Sequence, residues 1–338
     1  MLLSAGTVIV CGASDMKVQC SDLPVVYSRQ YNITLYGIQK LHPFDSEKYG
    51  RIAKKLKKDF GAEAPCFYEP SLPSQQDLLL VHTPHYLSSL RRSSTIAAVT
   101  EMFFIRYIPA AVLRKKILKP MLYATGGTIR GIELALKHGW AINLSGGYHH
   151  AKANEGGGFC AYSDIAIAIK KLWQKYSDKR VLIVDVDAHQ GNGYASIFYN
   201  EPRVIILDAY NGLIYPKDFI ASSRIDYAIL LDYTDTELYY LQHLQKNLSL
   251  AIVETNPDLI LYNAGTDVYI HDNLGQLRIS EKGIIQRDEI VFRLALNDNV
   301  PICMVLSGGY HRHSAEIAAA SIENLVWGKL ELKDKLSR

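Results

Sequence analysis

Short apolar runs recur along this chain: AINL (141–144), VLIV (181–184), VIIL (204–207), YAILL (227–231), LILY (259–262) and ICMVL (302–306). Segments of helical spacing, such as Asp235 to Glu254, lie between them. That alternation is a βα repeat, which builds a parallel sheet covered by helices. Most of these runs end in something polar or glycine-rich: SGGYHH, DVDAHQGNG, NAGTD and SGGYHRH. In an open parallel sheet such strand ends share one edge, where ligands bind.

The richest end is DVDAHQGNG. Asp185, Asp187 and His189 occupy alternate positions, and a continuing strand would turn them to one side. A capped strand end is the plain alternative. Two acids and an imidazole with no Lys or Arg among them would be uncompensated in a buried strand, which points instead to a cation. Asp267, at the end of NAGTD, is brought near His189 by the shared edge; capping the following helix is its other reading.

The end SGGYHH adds His149 and His150. Adjacent imidazoles cost electrostatic energy unless partners orient them, and Asp185 and Asn192 are the candidates. Glycines 156 to 158 let the backbone pass close to a ligand while Phe159 walls a channel, against the alternative of a flexible loop with one anchoring aromatic. Gly126 and Gly127 lack the spacing and the lysine of a phosphate loop.

Two carboxylates and one imidazole, from Asp187, Asp267 and His189, suit Zn²⁺ or Fe²⁺ with a position left open. Metal binding can lower the pKa of water to about 7 and polarise a carbonyl, which is the chemistry of a hydrolase acting on an amide or ester. His150 or His149 would take and return the proton. Tyr310, after Gly308 and Gly309, would donate to the oxyanion.

Composition narrows the partners. The net charge of +3 over 338 residues is far from what a chain living on phosphate backbones carries, so no direct nucleic-acid partner is expected. Five cysteines are scattered without a CxxC pair, so neither a disulfide framework nor a thiolate zinc site is expected, and the setting reads as intracellular, the cytoplasm first and the nucleus second. No run approaches the ~20 apolar residues of a membrane span. Residues 1–13 read as a short core strand. Asp45 or Ser46 is expected to cap a helix stopping at Gly61, Thr83 and Pro84 to start another, and Thr128 to cap a third that stops at Gly139. His82 and His85, with no acid beside them, are expected to be satisfied by hydrogen bonds or solvent.

These motifs carry a resemblance. From PVVYSRQYNITLYGIQKLHPFDSEKYG through SGGYHH, GGGFCAYSD, DVDAHQGNG, YNAGTD and SGGYHRHS, the chain resembles the class IV zinc-dependent histone deacetylases, the histone deacetylase 11 type. The likeness covers about residues 24 to 328 and leaves 1–23 as an N-terminal extension to a single catalytic domain spanning 1–338. It implies an α/β, three-layer arginase/deacetylase-like fold, a mostly parallel sheet of about eight strands with helices on both faces. It implies Zn²⁺ on Asp187, His189 and Asp267, and catalysis by His149, His150 and Tyr310 with Asp185 and Asn192 behind the histidines. Gly158, Phe159 and Tyr215 would line a tunnel for an acylated lysine of a protein or peptide. A structural K⁺ near Asp185 to His189 is implied by the family alone.

Class I relatives have an acid where Asn192 stands. An amide stabilises imidazolium less, so acetyl turnover is expected to be slow and longer fatty acyl groups to be better substrates. An acetylpolyamine or other small-molecule amidohydrolase would use the same zinc site but needs acids at the mouth, Glu155 or Asp218. A dimanganese enzyme of the arginase type is disfavoured because Gln190 and Tyr269 stand where further acids are needed. A non-catalytic acyl-lysine binder would have lost a ligand or Tyr310.

Overall fold

The computed structural model describes residues 22–337, with side chains to 334. The strand expected within residues 1–13 lies outside the described residues, as do Cys11 and Cys20. Seven strands form the sheet: β1 (Val25–Val26), β2 (Trp140–Asn143), β3 (Val181–Asp185), β4 (Val204–Asn211), β5 (Tyr227–Leu231), β6 (Leu259–Asn263) and β7 (Ile302–Val305). Their order is β1-β2-β7-β6-β3-β4-β5, and every neighbouring pair is parallel. The expectation of about eight strands becomes seven among the described residues.

The apolar runs of β2, β3, β4, β6 and β7 are continuous because both faces of the sheet are covered there, while the edge strand β5 exposes Ala228 and Leu230. Leu182 and Val184 of β3 pack with helices α1 (Lys48–Phe60), α5 (Glu237–Thr255), α6 (Glu281–Asn297) and α7 (Ser314–Val326). Val181 and Ile183 point the other way, into α2 (Lys119–His138), α3 (Asp164–Trp173) and α4 (Asn192–Ile197). Each such aliphatic side chain, fully buried, contributes roughly 1.5–3 kcal/mol. A third apolar cluster, with Tyr31, Phe44, Tyr49, Tyr148 and Phe159, sits over the strand ends.

Several local expectations change. Neither Asp45 nor Ser46 caps α1: the cap position is Glu47, while Asp45 accepts from the Glu47 N–H and the Ser46 hydroxyl donates to Ile33 O. Gly61 ends the helix as expected, and Thr83 caps the helix over Pro84–Ser89. Thr128 lies inside α2, donating to Asp164. The helix runs through the glycine pair because close packing demands it: a Cβ on Gly127 would sit 2.1 Å from the Tyr31 hydroxyl. Cys160 and Cys303 are buried free thiols, but Cys66 is disulfide-bonded, so cysteine spacing supplies no argument for a reducing compartment. Among the described residues no helix is long and apolar enough to cross a membrane.

Candidate metal-dependent active site

The strand order sets β2, β7, β6 and β3 side by side, so their four polar ends meet at one edge. Asn143, Val305, Asn263 and Asp185 stand in register across them. The continuing strand expected through His189 stops at Asp185. Beyond it the chain turns, because each acid captures the second N–H after it: Asp185 accepts from Asp187 N at 3.0 Å and Asp187 from His189 N at 3.0 Å. The side chains still converge, held by these bonds rather than by a pleat.

Asp187, His189 and Asp267 are buried, with ligand atoms all within 4.8 Å of one another. His189 Nδ1 lies 3.1 Å from Asp187 Oδ1 and 2.8 Å from Asp267 Oδ2. The outer oxygens are tied down: Asp187 Oδ2 accepts from Gly308 N and Ser307 Oγ, each at 2.9 Å, and Asp267 Oδ1 from Ala188 N at 2.9 Å. Burial, reinforced by Asp187, pushes the Asp267 carboxyl up to about 7. His189 is raised to about 10 because Asp187 and Asp267 overcome the effect of burial. The buried acids thus demand positive charge, and the ammonium of Lys48 is committed elsewhere, to the carbonyls of Ser307 (2.7 Å) and Gly308 (2.8 Å). Two carboxylate oxygens and an imidazole nitrogen around one buried point fit a divalent ion such as Zn²⁺.

The two histidines have different partners. His149 Nδ1 is 2.9 Å from Asp185 Oδ2, and that carboxylate also accepts from Asn263 Nδ2 and Tyr194 OH, each at 2.9 Å. Burial would depress His149, but Asp185 and Asp187 carry it up to about 9. His150 Nδ1 is 2.9 Å from Asn192 Oδ1. Burial, with His149 and His189 beside it, pushes His150 well below its ordinary range. These surroundings favour the charged form of the His149 imidazole and the neutral form of the His150 imidazole.

Tyr310 completes the ring, 5.8 Å from His189 between ring centres. Its backbone N–H and that of His311 both donate to Asp272, at 2.7 and 2.9 Å. A cavity of about 30 Å³, bounded by His149, His150, Phe159, Asp187 and Tyr310 among others, has room for a water-sized group. Gly158, at φ +53°, passes so close to His150 that a Cβ would lie 2.3 Å from its ring. Phe159 packs on His42 (4.6 Å) and Phe44 (4.9 Å), and half-exposed Tyr215 stands 5.0 Å from the His150 ring.

Every predicted site residue is thus brought to this edge. His82 stays apart, its Nε2 accepting from Ser163 N at 3.0 Å, and His85 is exposed. Reading the sequence missed Lys48, Asp164, Asn263 and Asp272, which hold the loops without facing the cavity. Asp164 accepts from Gly147 N (2.9 Å) and Tyr148 N (2.7 Å). Only Asn263, at the end of an apolar run, carried a local signal.

The histone deacetylase domain family matches residues 42–325. The chain belongs to the histone deacetylase family. Histone deacetylase 2 of Arabidopsis thaliana is 44% identical over 308 residues, 91% of this chain and 80% of its own length. The polyamine deacetylase HDAC10 of Mus musculus is 28% identical over 261 residues, 71% of this chain and 38% of its own length. The crystal structure of the HDA15 HD domain superposes with a TM-score of 0.73 at 20% identity, covering 92% of this chain and 90% of that one, a likeness of fold. As a histone deacetylase-family hydrolase, the chain has a site that accounts for a deacetylase: a candidate metal cluster, two unlike histidines and a tyrosine around one cavity.

Proposed function

We propose that this protein is a Zn²⁺-dependent lysine deacylase of the class IV type, acting on acylated lysines of proteins or peptides through one catalytic domain. The observation that carries the reading is the convergence of Asp187, His189 and Asp267 beneath His149, His150 and Tyr310. Asp187, His189 and Asp267 would hold the ion, which when bound would supply Lewis acidity for the acyl carbonyl and for a water. His150, kept neutral, takes the proton of the water and returns it to the departing lysine amine. His149, charged through Asp185, stabilises the negative charge that develops on the attacking oxygen as its proton leaves. The Tyr310 hydroxyl donates to the developing oxyanion. Phe159 and Tyr215 flank the lysine stem.

Asn192 behind His150 supports the class IV assignment and a preference for longer acyl groups, whose apolar burial compensates for a weaker base. The acetylpolyamine reading needs unpaired acid at the mouth. Glu155 and Asp218 both face the Lys152 ammonium, at 3.4 and 3.2 Å, which favours a lysine side chain over a cationic amine. The family's K⁺ gains support from Asp208, fully buried beside Asp185 in the register, whose Oδ1 has no hydrogen-bond partner among the described residues.

The test is a panel of acetyl-lysine and myristoyl-lysine peptides and acetylpolyamines, assayed with and without a chelator. Chelator-sensitive hydrolysis with the higher kcat/KM on myristoyl-lysine is expected. Faster hydrolysis of acetyl-lysine sinks the acyl preference, and polyamine turnover alone sinks the substrate class.

A further inference from the structure

Arg287, on α6, is fully buried, a position that an arginine holds only where its charge and its donors are met. Its Nε donates to Asp288 Oδ1 at 2.8 Å. The same carboxylate is otherwise engaged with the core: Oδ1 also accepts from the Tyr262 hydroxyl of β6, and Oδ2 from the Ser321 hydroxyl of α7. The neighbouring acid therefore balances the guanidinium, and charge balance by itself requires no contact with the site.

The guanidinium nonetheless reaches beyond Asp288. Its Nη1 donates to Gly265 O at 2.6 Å and makes a longer contact, 3.5 Å, with Val186 O. Both carbonyls lie in the turns that carry the ligands: Val186 directly precedes Asp187 after β3, and Gly265 stands two residues before Asp267 after β6. The peptide between Gly265 and Thr266 is held at both of its polar atoms, since Thr266 N donates to Gly308 O at 3.2 Å. Gly265 is also pressed against a ligand: a Cβ there would lie 2.3 Å from Asp187 Oδ2 and 2.9 Å from Asp187 Cα. A shift of this peptide would change both the space left to Asp187 and the approach of Asp267.

We infer that Arg287 is a positioning residue for the metal site: by holding the Gly265–Thr266 peptide it sets Asp267 opposite Asp187. It does so through the reach of its fork, Nε on Asp288 and Nη1 on Gly265, rather than through its charge. A lysine offers one nitrogen where the guanidinium uses two. This rests on the proposed binding of Zn²⁺ by Asp187, His189 and Asp267.

The experiment is Zn²⁺ competition against a graded chelator in the full chain, with folding followed by circular dichroism. Arg287→Lys keeps a positive charge for Asp288 and loses the second nitrogen. Ser321→Ala removes the bond to the other oxygen of Asp288 and is the control for the buried cluster. Arg287→Lys is expected to bind Zn²⁺ about tenfold or more weaker than the parent, and Ser321→Ala to stay within about twofold of it. The visible absorption of the Co²⁺-loaded protein should change in Arg287→Lys and persist in Ser321→Ala. If Arg287→Lys does not fold, Arg287→Gln combined with Asp288→Asn removes both charges together, and the same loss of affinity is expected of it. Parental Zn²⁺ affinity in the Arg287 variant that folds, or an equal loss in Ser321→Ala, overturns the inference. A parent chain that binds Zn²⁺ but hydrolyses no acyl-lysine refutes the proposed substrate, and the affinities still decide the role of Arg287. A parent chain that binds no Zn²⁺ refutes both.

Discussion

Lys48 and Asp187 are joined through a single residue: the Lys48 ammonium donates to Gly308 O at 2.8 Å, and Gly308 N donates to Asp187 Oδ2 at 2.9 Å. Lys48 is fully buried with no carboxylate partner among the described residues, its charge placed over the rings of Phe44 (4.9 Å) and Tyr49 (5.6 Å). Burial lowers its pKa to about 8, against the pull of Asp267 and Asp187. It holds the loop that carries both a ligand contact and Tyr310. Lys48→Met keeps the bulk and strands two buried carbonyls, at roughly 1–3 kcal/mol each. We expect about tenfold weaker metal retention on dialysis against a graded chelator, with Lys48→Arg retaining most of it. A Met variant that holds metal like the parent would remove Lys48 from this role.

Tyr310 offers the cavity its only phenol from the β7 loop, and its backbone is fixed by Asp272 rather than by the hydroxyl. Tyr310→Phe should therefore keep the parent melting temperature and lose about 10²-fold or more in turnover, as removal of an oxyanion donor does. Unchanged kcat contradicts the mechanism.

Gly158→Ala tests the close passage over His150. The added methyl would come within 2.3 Å of the ring, at a backbone φ of +53° that L-residues rarely adopt. Because the ring is also pinned to Asn192, the expected result is a drop in kcat of about tenfold or more, with metal content intact. Retained kcat accompanied by a shifted KM would place the strain in the tunnel wall instead.

His82 governs part of the acid stability. Burial pushes it down to about 4 from the ordinary 6.5, and its Nε2 accepts from Ser163 N, so the fold holds it neutral. The unfolded chain takes up a proton near 6.5 that the folded chain refuses until about 4. Stability therefore falls as pH drops through that window, by about 3 kcal/mol in total. His82→Gln keeps an acceptor and does not titrate, and urea melts should show a shallower decline between these pH values. A decline as steep as that of the parent would assign the effect to other groups.

Much of this was legible from local pattern. Apolar runs of strand length, helices between them and the residue types at DVDAHQGNG, SGGYHH, NAGTD and SGGYHRH determined a parallel sheet with a metal-binding edge, because burial on both faces and the donor chemistry of acids and imidazoles are properties of short segments. The strand register, the turn after Asp185 and the buried Lys48 and Asp272 were not legible. They depend on which run lies beside which. A chain of interchangeable apolar strands does not encode locally that β7 enters between β2 and β6, and that insertion brings Tyr310 to His189. The same holds at Asn192. Its residue type was visible in the sequence, but that its amide oxygen meets His150 Nδ1 at 2.9 Å was decided by the tertiary packing that brings two loops 42 residues apart together.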